Sequence, residues 1–132
     1  MKFLFTVLII SIAISSWAQT VTAVDYVKTK PGEFDNFIGF LKQNWVVARE
    51  KAKEKGAIVS FQYTSNREDT AWDIVLMTEY KDEATYKNRK EIFQQIFKEY
   101  FPNGPITVNG KRSKDMAEIK MSKEIKKEWS AE

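Results

Sequence analysis

The sequence predicts an α+β domain in which two helices cover one face of a four-stranded antiparallel sheet. Segments with the alternation of strands and segments with the 3.6-residue period of helices follow the order strand, helix, strand, strand, helix, strand. The second and third strands are separated by one short polar loop, as in a hairpin. The 132 residues, of which 43% are hydrophobic, fit a single domain with its own core.

Residues 1–18 have the composition of a secretory signal peptide. Lys2 precedes an apolar run from Phe3 to Ile14, and small residues follow up to Ala18, as at a cleavage site. The run of about 12 residues is shorter than the roughly 20 that a spanning helix needs, although an uncleaved anchor is the alternative. We therefore expect an exported protein, periplasmic or secreted. Because there is no Cys to carry a lipid, its mature chain, residues 19–132, would have no membrane attachment.

The first strand and the first helix come next. Val21–Lys28 is rich in β-branched residues and predicts a strand, which Pro31 and Gly32 end. A helix then runs to Lys55, with Gly56 suited to a left-handed cap. Its residues at helical spacing predict one buried stripe, which consists of Phe34, Phe37, Ile38, Leu41, Trp45, Ala48 and Ala52.

Phe40 and Val47 lie off this stripe and make the apolar surface of the first helix wider than one buried face requires. Three explanations remain open at this point. The C-terminal segment packs over these residues, a second subunit or another envelope protein binds them, or they line a ligand pocket.

The second half of the domain repeats the pattern. Ala57–Thr64 alternates apolar and polar residues, and Trp72–Tyr80 predicts the strand that pairs with it. Asp82 is the predicted N-cap of a second helix that ends near Tyr100. The residues expected to point inward from this helix are Tyr86, Phe93, Ile96, Phe97 and Tyr100.

An extension begins at about residue 102, after the helix-breaking Pro102. Asn109 and Gly110 predict a tight turn, and Asp115–Met121 supplies residues for a final strand. Met121, Ile125 and Trp129 are each four residues apart, which indicates an amphipathic helical tail.

Composition restricts the chemistry. The formal net charge is +3, and it falls to +2 without residues 1–18 because Lys2 is the only charged residue there. This near balance argues against nucleic acid as a partner. The chain has no His and no Cys, so the commonest general base, thiolate and imidazole metal sites and the usual haem ligand are missing. We therefore expect no metal and no cofactor.

The order βαββαβ is that of the ferredoxin-like sandwich. In this fold one face of the sheet has no helices over it. We expect Val24, Tyr26, Ile58, Val75 and Met77 on that face, where exposure of apolar surface costs about 25 cal/mol per Å². Pairing of two sheets face to face would remove this cost, so the fold predicts a homodimer.

Two passages resemble the dimeric α/β-barrel superfamily: "YVKTKPGEFDNF", from the first strand into the first helix, and the exit from Trp45 through Gly56-Ala57-Ile58. The likeness covers about Val21 to Tyr100. Within the superfamily, the sequence more specifically resembles an uncharacterised exported bacterial branch. Members of the superfamily include cofactor-independent monooxygenases, haem-degrading enzymes, isomerases and ligand binders. The haem-degrading members rely on a His ligand that this chain lacks, which argues against that activity.

Two sets of residues are candidates for a site. Asp25 and Asp73 lie on strands predicted to be neighbours, where two carboxylates can raise each other's pKa. Solvated strand-end carboxylates are the ordinary alternative.

The second set comprises aromatic residues that can form a wall for a flat ligand, with an amide to orient it. Core packing is the alternative for these residues. These ligand-binding candidates are Tyr26, Trp45, Gln62, Tyr63 and Trp72.

The sequence thus favours an exported domain that binds a small aromatic or apolar ligand or another protein. The alternative is a cofactor-independent monooxygenase or isomerase, for which Asp25 and Asp73 are the weak catalytic candidates.

Overall fold

The computed structural model describes residues 19–69 and 71–128. The predicted signal peptide and Trp129 lie outside the described residues. The elements are β1 (Val21–Thr29), α1 (Phe34–Phe40), a π-helical turn (Leu41–Trp45), α2 (Val46–Glu54), β2 (Ile58–Ser65), β3 (Ile74–Tyr80), α3 (Glu83–Lys87), α4 (Arg89–Tyr100), α5 (Ser113–Met116) and β4 (Ala117–Lys126). Within these ranges no helix combines the length and apolar character needed to cross a bilayer.

The four strands form one antiparallel sheet in the order β2-β3-β1-β4. β1 therefore lies inside the sheet and pairs on both sides, so that Asp25 is opposite Leu76 in β3 and opposite Ser122 in β4. The helices pack on one face, and the predicted α+β, ferredoxin-like arrangement is confirmed. The other face, here called the open face, carries no helix of the described chain.

The first helix is continuous from Phe34 to Glu54 but contains the π-helical turn. One extra residue in a turn rotates the buried side of a helix, and here Phe40, Leu41 and Trp45 are all buried in one cluster. Val108 packs against the same cluster. The C-terminal segment, through Val108, therefore helps to cover this apolar surface at Phe40, which is buried, whereas Val47 is half-buried.

The second helix is interrupted at Asn88, which separates α3 from α4. The predicted cap is confirmed, because the Asp82 side chain accepts a hydrogen bond from the Thr85 amide at 2.7 Å. The prediction that Phe97 and Tyr100 point inward is wrong, since they are 36% and 39% exposed. Phe97 borders an open cleft instead of the closed core.

The third strand begins at Ile74, two residues later than predicted, and leaves Trp72 in the loop. The predicted turn at Asn109 and Gly110 is present, with φ of 51° and 73° and a bridge between Val108 and Lys111. The predicted helical tail is wrong, because Met121 and Ile125 lie in β4. A spacing of four places two residues on the same face of a strand as well as of a helix, so the spacing alone does not separate the two.

The open face carries Val24, Tyr26, Val75 and Met77, as expected from their pairing with one another across β1 and β3. Val24 and Val75 are nevertheless only 3% and 7% exposed, so this face exposes less apolar surface than expected. Ile58 is the exception. A bulge between Ile58 and Ser60 shifts the alternation of β2 by one residue, and Ile58 is buried under the helices with Tyr80 and Ile96.

Candidate functional site

Two open clefts lie side by side between the helices and the sheet. The first, of about 870 Å³, has β1, β3 and β4 as its floor and α2 and α4 as its walls. The second, of about 400 Å³, lies between the π-helical turn, α5 and the start of β4. Both volumes are in the range of small-molecule sites. The two clefts share two lining residues, Asp25 and Arg49.

Arg49 of α2 lies between two aromatic rings. Its guanidinium carbon is 4.7 Å from the centre of the Trp45 ring and 4.3 Å from the centre of the Phe93 ring. Nε donates a hydrogen bond to Thr78 Oγ1 at 3.3 Å. Desolvation by burial lowers the pKa of Arg49 to about 10, so that the side chain is still a cation at neutral pH.

The charge of Arg49 has little compensation within the protein. Asp25 attracts it electrostatically, but Arg49 forms no ion pair with any described Asp or Glu. Apart from the bond to Thr78, none of its N–H groups has a hydrogen-bond acceptor in the described part of the chain. By exposed surface Arg49 is half-buried, and none of its free N–H groups is completely shielded from the cleft. A partly desolvated cation whose N–H groups lack acceptors marks a candidate anion site when it lies in a cleft.

The rim of the first cleft adds positive charge. Its lining contains five cationic side chains, Arg49, Lys87, Arg89, Lys90 and Lys123, against the two carboxylates of Asp25 and Glu124. This excess raises the local concentration of anions. Tyr80 also lines the cleft, and burial raises the pKa of its hydroxyl although Arg49 opposes the shift, so Tyr80 is a neutral hydrogen-bond donor there.

Asp25 lies in the floor where the clefts meet. Strand alternation places it on the helix side of β1 together with Val27. Its Oδ1 accepts a hydrogen bond from Ser122 Oγ at 2.6 Å. The other carboxylate oxygen has no hydrogen-bond donor among the described residues, so Asp25 presents a free acceptor near the half-buried Arg49.

Asp73 occupies a different place. It is 4% exposed, its Oδ1 accepts from the Thr29 amide at 2.9 Å, and its Oδ2 accepts from Thr29 Oγ1. Asp25 is opposite Leu76, three positions along the ladder from Asp73, which is about 10 Å. The two carboxylates therefore do not form the expected pair, and Asp73 joins the ends of β1 and β3.

The expected aromatic wall is divided by the sheet. Trp45 and Tyr63 meet edge to face at 6.3 Å on the helix side, whereas Tyr26 and Trp72 meet at 5.5 Å, Tyr26 being on the open face. Gln62 is also on the open face, opposite Met77. Alternation along the strands causes this separation. Among these five residues, Trp45 is the one that lines either cleft.

Arg49 is the residue that sequence reasoning missed. A sequence signal for it exists: Arg49 is four residues after Trp45, and it is adjacent to Ala48 and three before Ala52, which are small enough to let a long side chain turn inward. In the described residues no group of three or more Asp or Glu side chains is placed to hold a metal ion.

No known family model matches this sequence, and no curated protein matches it. Several solved structures share its fold. HapK from Hahella chejuensis aligns with a TM-score of 0.57 at 11% identity over 85% of this chain and 96% of that one. A dimeric ferredoxin-like protein from an uncultured marine organism aligns with a TM-score of 0.56 at 15% identity over 86% and 99%. MupZ from Pseudomonas fluorescens aligns with a TM-score of 0.51 at 14% identity over 80% and 70%.

At these identities the likeness shows the fold alone. The chain has a ferredoxin-like fold, which agrees with the fold that the sequence resemblance implies. The function has to be argued from the clefts.

Proposed function

We propose that this protein binds a small aromatic or apolar anion, whose charged group lies at the first cleft with Arg49 as its charge partner. The observation that carries this proposal is the position of Arg49, which lies half-buried between two rings where the two clefts meet and has no ion-pair partner among the described residues. The proposal keeps the ligand-binding function expected from the sequence but places the site away from the predicted aromatic wall.

The physical basis is charge-assisted hydrogen bonding. A carboxylate can accept two parallel N–H groups from a guanidinium, and low dielectric strengthens the attraction. Phe97 borders the cleft and supplies aromatic surface for a flat ligand. A hydrogen bond to a charged group contributes about 1.5–3 kcal/mol, which corresponds to an affinity ratio of roughly 10 to 150.

Calorimetric titration of the purified protein with 2-naphthoate and its neutral analogue 2-naphthamide tests this proposal. We expect the acid to bind at least about tenfold more tightly than the amide, and the preference to vanish in Arg49→Met. Arg67→Met is the matched control, because Arg67 also lies over an aromatic ring, 3.9 Å from Phe34, but is exposed and paired with Asp35. Equal binding of acid and amide by the wild-type protein would contradict the proposal.

A second candidate function is proton transfer of the kind needed by a cofactor-independent oxygenase or an isomerase. The observation that favours it is the free acceptor of Asp25 beside Arg49. In such a step a C–H proton would move to the Asp25 carboxylate, and the electron pair would remain on the substrate as an enolate that Arg49 stabilises.

Hydrogen–deuterium exchange of 2-tetralone in D₂O, followed by NMR, tests this candidate. If Asp25 is a base, the wild-type protein speeds exchange, Asp25→Asn loses the effect, and binding of 2-naphthoate is retained. An unchanged exchange rate with Asp25→Asn would rule Asp25 out as the base.

We also propose that two copies pair through the open face. Met121 and Ile125 are exposed there on β4, and Met121 lies opposite Tyr26 of β1. One of the solved structures with this fold is described as dimeric.

Residues 1–18 are proposed to direct export to the periplasm or the medium. N-terminal sequencing of the protein from cell envelope and medium would find Gln19 first if this is right, and Met1 if it is not.

A further inference from the structure

We propose that the ligand is an amphipathic anion whose charged head binds at Arg49 and whose apolar tail lies in the second cleft. This inference rests on the proposed function of Arg49 and adds the chemical class of the ligand. It comes from the contrast between two clefts that meet at the same pair of residues, Asp25 and Arg49.

The second cleft is mainly apolar. Its charges balance, with Arg49 and Lys114 against Asp25 and Glu118. The remaining lining is almost entirely hydrophobic and includes Val27, Phe37, Phe40, Leu41, Leu76 and Ile119. The first cleft, by comparison, has an excess of cations at its rim. Charge therefore places an anionic head on the side of the first cleft, and the hydrophobic effect places a tail in the second.

The exposure of Ile119 shows that core packing does not fill the second cleft. It is 57% exposed although it lies on the helix side of β4 opposite Val27. A bulge between Tyr26 and Val27 in the ladder with β4 brings Ile119 to this side, and bulges often occur beside binding sites because they redirect a side chain. A tail in the cleft would cover Ile119 and the neighbouring apolar walls.

A series of straight-chain carboxylates from butanoate to dodecanoate, titrated calorimetrically into the full-length mature protein, tests the inference. Burial of one methylene group strengthens binding by up to about fourfold. We expect affinity to rise with each added methylene until the second cleft is full and then to level off. The same chains as primary amides should bind more weakly at every length, because they lack the charged head.

Ile119→Trp fills the mouth of the second cleft from an exposed position and should fold normally. It is expected to remove the increase of affinity with chain length. Ala117→Phe, also on the lining, is a second variant with the same expected effect. Lys120→Phe is the matched control, since Lys120 is on the same strand but lines neither cleft.

The outcomes separate the two proposals. Arg49-dependent binding of butanoate with no increase along the series, or an increase that Ile119→Trp and Ala117→Phe leave intact, would overturn the amphipathic ligand and keep the anion site. Absence of Arg49-dependent binding for both 2-naphthoate and the carboxylates would overturn the anion site and, with it, this inference.

Discussion

Arg49 is the residue on which the functional account depends, and its cost to the fold is part of the argument. Removal of a guanidinium from water is unfavourable, and the gains here are two ring contacts and one hydrogen bond to Thr78. In the sequence Arg49 looks like one more solvated charge on a basic helix. Its spacing from Trp45 and its small neighbours are a weak sequence signal, and the packing of Trp45 and Phe93 around it shows the difference directly.

The first prediction is that Arg49→Met leaves stability nearly unchanged while anion binding is lost. Met fills similar space, and the loss of about 1–2 kcal/mol of ring contacts is offset by the relief of desolvation. Urea denaturation should show a change in unfolding free energy below about 1 kcal/mol. A loss of several kcal/mol would mean that Arg49 is a structural residue.

In contrast to Arg49, Asp73 has both side-chain oxygens hydrogen-bonded within the protein. Its two carboxylate oxygens accept from one residue, Thr29, and Lys28 Nζ lies 3.8 Å away. Such a buried acceptor stabilises the ends of β1 and β3 and leaves little for chemistry. In the sequence Asp25 and Asp73 look alike, since each is a single Asp on a predicted strand. Burial, which the sequence does not show, separates their roles.

The second prediction compares these two carboxylates. Asp73→Ala removes both acceptors and leaves the buried amide of Thr29 without a partner, so we expect a loss of about 2 kcal/mol or more in unfolding free energy. Asp25→Ala, whose site is open to the first cleft, should cost less than about 1 kcal/mol. Equal losses in thermal and urea denaturation would show that Asp25 is also structural.

At the scale of elements, the π-helical turn connects the first helix to the C-terminal extension. It carries Asn44, which is buried and donates to the Ile106 carbonyl at 2.9 Å while accepting from the Ile106 amide at 2.7 Å. Asn44 also donates to Phe40 in its own helix. One amide side chain therefore holds residues near 106 over α1, and this positions α5 at the second cleft.

The third prediction is that Asn44→Leu releases this segment. The Ile106 amide loses its acceptor, so its hydrogen exchange should become faster by about tenfold or more, in line with a lost hydrogen bond. Asn36→Ala is the control, because Asn36 contacts the same extension through an exposed bond to Asn109 at 3.2 Å. If exchange at Ile106 is equally slow in both variants, Asn44 does not hold the extension.

The sequence predicted the elements better than it predicted their faces. Strand and helix order, the cap at Asp82 and the turn at Asn109 depend on local chemistry and were visible. The π-helical turn and the bulges in β2 and β4 each shift the periodicity by one residue, so Phe40, Ile58 and Ile119 were misplaced or left unassigned. Since Phe40 and Ile119 line the second cleft, that cleft could not be assembled from periodic patterns.

At the scale of the whole molecule, the sheet separates two surfaces with different properties. The helix side contains the charged and apolar clefts, and the open face presents apolar side chains from β1, β3 and β4. We assign the ligand to the first surface and a second copy of the chain to the other. A sheet that is covered by helices on one face only is expected to pair through its other face with a second sheet.

The fourth prediction concerns that pairing. Met121→Asp places a charge on the open face and should convert a dimer into a monomer at micromolar concentration in sedimentation equilibrium. Ile106→Asp is the control, because Ile106 is 48% exposed, close to the 43% of Met121, but lies on the extension. Dissociation by both variants, or a wild-type monomer, would contradict pairing through the open face.

The central claim is that ligand binding takes place at Arg49 and not on the open face. NMR of ¹⁵N-labelled protein titrated with 2-naphthoate tests it most directly. We predict that the Arg49 Nε–Hε signal shifts and saturates together with amides of Asp25 and Phe97, while Gln62 and Met121 stay unchanged. Shifts confined to Gln62 and Met121, with the Arg49 signal unmoved, would contradict the account.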